Sequence, residues 1–128
     1  MHSNDIQLVR IYPREMGGKI LEDTFPSNAQ FEIVVEAKAG AAIYSSGGKY
    51  YLHIVVRDLT DFTTVHVENI EGNLACELWN EPVLRHAFPI AAQGPAKQCH
   101  IYEVLASLHV GIRNPNVSFV RSPMFIIT

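Results

Sequence analysis

The residues best suited to chemistry in this chain are its histidines and one short acidic run. His53, His66, His86, His100 and His109 all fall in stretches with strand character. Side chains on a strand alternate between its faces, so two metal ligands from one strand must share parity to meet. Only His66-Val-Glu68 satisfies this locally; with His109 it loosely imitates the ligand set of a metal-dependent β-barrel enzyme. His100 and His109 have opposite parity and would need an intervening bulge to converge. Exposed or hydrogen-bonded strand histidines explain the same pattern, so no metal ligand and no cofactor is assigned from it.

Arg57-Asp58-Leu59-Thr60-Asp61 is the most polar cluster at a strand end. Its two carboxylates, with Glu68 nearby, could contribute to a calcium site, which needs roughly six to eight oxygens. An Asx turn with an Arg57 ion pair accounts for the same residues more simply. Nucleophilic catalysis has no GxSxG elbow to rest on. Cys99 and His100 are adjacent, and adjacent strand residues point to opposite faces. Gly47-Gly48-Lys49 lacks the spacing of a phosphate-binding loop and reads as a hairpin loop. No catalytic residue is assigned, and the expectation is a protein that is not an enzyme.

Recognition has more candidates. Trp79, the single tryptophan, stands beside Asn80, Glu81 and Pro82, as a stacking platform for a small ligand or carbohydrate would, or an interface hot spot. Tyr50 and Tyr51, with Tyr44, flank the Ser45 to Gly48 loop. Trp79, Tyr50 and Tyr51 are therefore the candidate binding residues. Burial in the core is the competing reading for each.

The elements that must position these residues are strands. The chain has 128 residues, 48% hydrophobic and 18% charged, with 10 Lys+Arg against 13 Asp+Glu. That is the scale of one domain, spanning 1–128, with an ordinary core. The net charge of -3 and the absence of Lys/Arg clusters argue against a nucleic-acid partner. The N-terminus has no basic start followed by a long apolar run, and no stretch approaches the roughly 20 apolar residues of a membrane helix. A cytoplasmic location without a membrane partner is expected, with Cys76 and Cys99 as free, partly buried thiols.

Strand-like runs recur between turn signals. Ile6 to Tyr12 is ended by Pro13; Phe31 to Ala37 alternates, with Glu32 and Glu36 on a wet face. Tyr50 to Leu59 is apolar on both parities, as in a strand covered on both sides. Phe62 to Ile70 precedes a Glu71-Gly72-Asn73 turn, and Leu74 to Trp79 and Val83 to Ile90 follow. Ala91 to Gln98 is a loop, and Cys99 to Ile112 is the longest run, with Tyr102, Val104, Ala106, Leu108 and Val110 on one parity. Val117 to Thr128 is broken at Ser122-Pro123, and Ser27 to Gln30 is the one candidate helical turn. Such spacing predicts an all-β, antiparallel sandwich of about seven to nine strands.

Tyr102-Glu-Val104-Leu-Ala106 is similar to the Tyr-x-Val-x-Ala stretch in the penultimate strand of fibronectin type III domains. From Phe31 onward the order of strands resembles that immunoglobulin-like sandwich. The cysteines depart from the antibody pattern, because Trp79 follows Cys76 by only three residues. The resemblance implies a fold and carries no functional residue across. The apolar surplus of Tyr50 to Val56 must be covered by another part of the chain or by another subunit. The expected function is a non-catalytic module that binds a protein partner or itself, as a homodimer.

Overall fold

In a computed structural model, which describes residues 5–75, 79, 81–111 and 116–128, the chain forms nine strands in two sheets. The smaller sheet has the order β1 (Ile6–Glu15), β3 (Phe31–Ala39), β6 (Val83–Ile90). The larger runs β2 (Thr24–Phe25), β9 (Phe125–Ile127), β7 (Ile101–Val110), β4 (Lys49–Asp58), β5 (Thr63–Asn73). β8 (Asn116–Arg121) pairs with the same edge of β7 as β9 does, farther along it. Ser122-Pro123-Met124 separates them, since proline cannot donate to the ladder. Among the described residues, all strand pairings are antiparallel except β2 with β9. The all-β sandwich expected from the spacing is the observed class.

Alternation supplies the core. Tyr50, Leu52, Ile54 and Val56 of β4 and the Tyr102 to Val110 parity of β7 are buried with Phe31, Ile33, Val35 and Ala37 of β3. Each Val, Leu, Ile and Phe among them contributes about 1.5–3 kcal/mol of burial. Phe25 stacks on Phe31 at 4.8 Å, and Phe125 meets both rings edge-on at 5.6 Å. The two-residue strand β2 places Phe25 there; Ser27 to Gln30 after it is a turn and not a helix. α1 (Ala41–Ser45), a single helical turn, and a 3-10 turn at Pro95–Lys97 are the helical segments of two or more residues among those described. No described helix is long and apolar enough to cross a membrane.

Four expectations need correcting. Pro13 does not end β1, which runs to Glu15; β1 is an edge strand, where a missing N–H costs no ladder bond. The outer side of β3 is not wet, because Glu32 lies under Arg14 and both Glu32 and Val34 are buried. Glu71-Gly72-Asn73 continues β5 opposite Tyr51, Tyr50 and Lys49. The second face of β4 is covered by nothing in the described chain: Tyr51 is exposed, and His53, Val55 and Arg57 are partly so. Residues 76–78 of the Leu74 to Trp79 run lie outside the described residues, while Leu74 is in a turn.

Candidate functional site

The uncovered side of the larger sheet is built by the same alternation that fills the core. β4 sits between β5 and β7, so its outward residues stand in cross-strand rows. One row is Val67, Val55, Leu105 and Arg121; the next is Asn69, His53, Ser107 and Phe119. Phe119 is 74% exposed, and Val67 and Leu105 are also exposed. Val55, Leu105 and Phe119 line a shallow groove of about 490 Å³ with His53 and Arg121 at its rim. The rim groups already have partners: His53 Nδ1 meets Asn69 Oδ1, and Arg121 Nη2 donates to Glu103 Oε1 at 2.8 Å. The result is an apolar centre with a satisfied polar border, which suits burial against a protein surface.

β5 bounds this face. An edge strand offers unpaired backbone groups to any strand that approaches, and proline is one common guard. β1 holds Pro13, β6 holds Pro89, β2 has two residues followed by Pro26, and β8 is followed by Pro123. β8 is further joined to β1 by the Leu8 N–H, which donates to Ser118 Oγ at 2.9 Å. β5 contains no proline over its 11 residues. A register shift opposite Val56 and Arg57 makes Val65 a bulge, leaving a regular edge from His66 to Asn73.

A second constellation lies at the end of β4. Asp58 is fully buried, and its Oδ1 accepts the backbone N–H groups of Thr60 and Asp61 at 2.9 and 3.1 Å, the expected Asx turn. The ion pair is not with Arg57, which donates to Thr64 Oγ1 instead. Lys97 Nζ and His100 Nδ1 lie 2.8 and 2.7 Å from Asp58 Oδ2. Burial raises the Asp58 pKa, but hydrogen bonds from His100, Lys97 and the two backbone groups outweigh it and hold the carboxyl well below the usual range. Tyr102 beside them is pushed up to about 12 by burial, and its hydroxyl donates to Gln93 Oε1. Asp58, Asp61 and His100 have ligand atoms within 4.8 Å of one another, but the Lys97 ammonium takes the cation's place, 3.3 Å from Asp61 Oδ2. The cluster fastens the 94–100 loop to β4.

The candidate binding residues do not form one surface. Trp79 has no exposed area and packs edge-on to Tyr50, ring centres 5.9 Å apart, with Tyr50 also buried. Tyr51 alone of the three reaches the outer face, with the Lys49 ammonium 5.3 Å from its ring centre. His66 Nε2 and Glu68 Oε1 are 3.0 Å apart on β5, as the parity requires. His109 is not with them: it pairs opposite Tyr51, whereas His66 pairs opposite Val56. Cys99 is exposed rather than partly buried, and Cys76 lies outside the described residues. Leu105 and Phe119 were legible as outward parity on their strands; Lys97 reaching Asp58 across 39 positions leaves no local signal.

No protein-family model and no curated protein sequence matches the chain. Among solved structures, it is similar to a glycosyl hydrolase family 2 member from Bacteroides cellulosilyticus DSM 14838, with a TM-score of 0.57 and 13% identity. That similarity covers 95% of this chain and 15% of the other, so the chain spans a small part of that protein's length. The sporulation control protein Spo0M of Bacillus subtilis has a TM-score of 0.43 at 13% identity, covering 92% of this chain and 48% of that one. The first similarity places the chain among β-sandwich folds.

Proposed function

We propose that this protein is a non-catalytic, immunoglobulin-like β-sandwich module that associates with a second copy of itself through the larger sheet. The observation that carries this reading is the edge strand β5, which has no proline and whose outward Val67 continues the apolar row of Val55 and Leu105. A two-fold axis perpendicular to the sheet keeps both outer faces on one side and sets one residue of β5 opposite itself. With Val67 on the axis, His66 lies opposite Glu68 of the second copy, and Glu68 opposite its His66. Moving the axis to either neighbouring residue sets Glu68 against Glu68 or His66 against His66. The Val67 register also runs the apolar strip of Val55 and Leu105 across both copies.

The immunoglobulin-like assignment is supported by Tyr102, Val104 and Ala106, all buried on one face of β7. Burial of Trp79 removes the stacking platform on which a carbohydrate-binding reading rested. Sedimentation velocity over a micromolar concentration series tests self-association. A dimer that forms with rising concentration is expected; a strict monomer throughout overturns it.

A further inference from the structure

The outer face of the smaller sheet carries a second site of opposite character. Outward residues of β1, β3 and β6 form two charged rows separated by an apolar one. In one charged row Glu36 lies between Arg10 and Arg85, and in the other Arg14 pairs with Glu32. Tyr12, Val34 and Ala87 form the row between them. A concavity of about 530 Å³ opens there, lined by Arg14, Lys19 and Arg85 over Val34 and Ala87.

The carboxylates hold the guanidinium groups without using them up. Glu32 Oε1 takes the Arg14 Nε–H at 2.6 Å and also accepts the Gly17 N–H. Glu36 Oε1 lies 3.5 Å from Arg85 Nε, while Arg85 Nη2 donates to the Tyr12 hydroxyl at 3.2 Å. Both terminal nitrogens of Arg14 and one of Arg85 have no partner among the described residues, nor does the Lys19 ammonium form an ion pair there. Arg10 on the same face is held over the Tyr12 ring at 4.0 Å. Arg10, Arg14, Lys19 and Arg85 against Glu32 and Glu36 leave the face cationic, although the chain is net -3.

We infer that this concavity binds a small dianion, with a carboxylate or phosphate at each end and an apolar body between. The fork of a guanidinium matches both terminal groups, and anchoring at Nε pre-orients it. Arg14 and Arg85 stand on opposite edge strands and in different rows, their backbones roughly 13 Å apart along the strands and about 10 Å apart across them. Two separated anionic ends fit that spacing better than one, with the ligand body passing over Ala87, the part-exposed member of the apolar row. The site is on the opposite side of the sandwich from the apolar face and does not depend on self-association.

The test uses amide chemical shifts of the full chain at low ionic strength, titrated with straight-chain dicarboxylates of increasing length, bisphosphonates of matching length, and the monocarboxylates. The expected result is shifts at Val34 and Ala87, an optimum at intermediate length, and binding at least about tenfold tighter for the dianions than for the monoanions. Arg85→Gln, at an exposed position, and Arg14→Lys, which keeps a charge beside Glu32 but loses the fork, should each weaken binding by about tenfold. The dicarboxylate and bisphosphonate arms identify the preferred end group. Absence of dianion binding, equal affinity for monoanions, or affinity unchanged in Arg85→Gln would overturn the inference.

Discussion

His100 Nδ1 lies 2.7 Å from the Oδ2 of Asp58, a carboxylate with no solvent exposure at the end of the central strand β4. The same oxygen holds Lys97 Nζ at 2.8 Å, so one buried group ties two residues of the 94–100 loop to the sheet. Ile101 N–H, donating to Thr60 Oγ1, adds a third attachment between the two turns.

Asp58→Asn should lower stability at pH 7 by about 3 kcal/mol, because it leaves the Lys97 ammonium without its buried counter-charge and takes a carboxylate oxygen from His100 Nδ1. The folded pKa of Asp58 lies well below its unfolded value of about 3.9, so its stabilisation is complete above roughly pH 5, begins to fall below about pH 4 and is lost only as pH reaches the folded pKa. Urea denaturation at pH 7 and pH 3 checks both parts. The wild type and variant should differ clearly at pH 7 and by roughly a third less at pH 3, where the unfolded chain has taken up the proton but the folded one has not; a gap that is unchanged at pH 3 would contradict the assignment.

Trp79 is a core residue in this account. Trp79→Ala should cost about 3–5 kcal/mol, as large aromatic truncations do in packed cores. The fluorescence of the folded protein should be blue-shifted and unchanged by a panel of glycans. Emission typical of exposed tryptophan, or a saturable glycan response, would restore the platform reading.

How much of this could be read in advance follows from the range over which each signal acts. The inward parity of β7, Tyr102 to Val110, is written in the sequence because alternation is local. β6 and the break at Pro123 were equally plain. The same parity rule misled at β3, where the face of Glu32 and Glu36 read as wet; Glu32 and Val34 on that face are covered by Arg14 and Tyr12 on β1, about twenty positions earlier. Tyr50 and Tyr51 were grouped by adjacency although a strand sends neighbours to opposite faces. The Asx turn at Asp58 was legible, whereas its partners Lys97 and His100 depended on the pairing of β4 with β7.

Phe119→Ser separates the outer face from the fold. Phe119 is 74% exposed, so monomer stability should change by no more than about 0.5 kcal/mol. Self-association, measured by light scattering, should be unchanged, because Phe119 on β8 lies three strands from the β5 seam. A dimer weakened about tenfold would mean that the copies meet face to face rather than edge to edge.

The His66–Glu68 pairing across the axis makes a charge-swap prediction. His66→Glu alone sets like charges opposite each other twice and should favour the monomer. Adding Glu68→Lys should restore the dimer, since each new glutamate then meets a lysine of the other copy. Dimerisation unaffected by His66→Glu would mean that the copies do not meet in this register.

The most direct test of self-pairing through β5 is a cysteine placed on the proposed axis. In a background with Cys76→Ser and Cys99→Ser, Val67→Cys brings two thiols together at roughly the 4.5–5.5 Å Cβ separation of directly opposed strand residues, within reach of a disulfide after a small local adjustment. Mild oxidation followed by non-reducing electrophoresis should give a covalent dimer for Val67→Cys. The matching Glu71→Cys variant, eight residues or about 26 Å from its own counterpart in that register, should stay monomeric. Efficient cross-linking of Glu71→Cys, or none of Val67→Cys under conditions where the protein sediments as a dimer, would contradict the account.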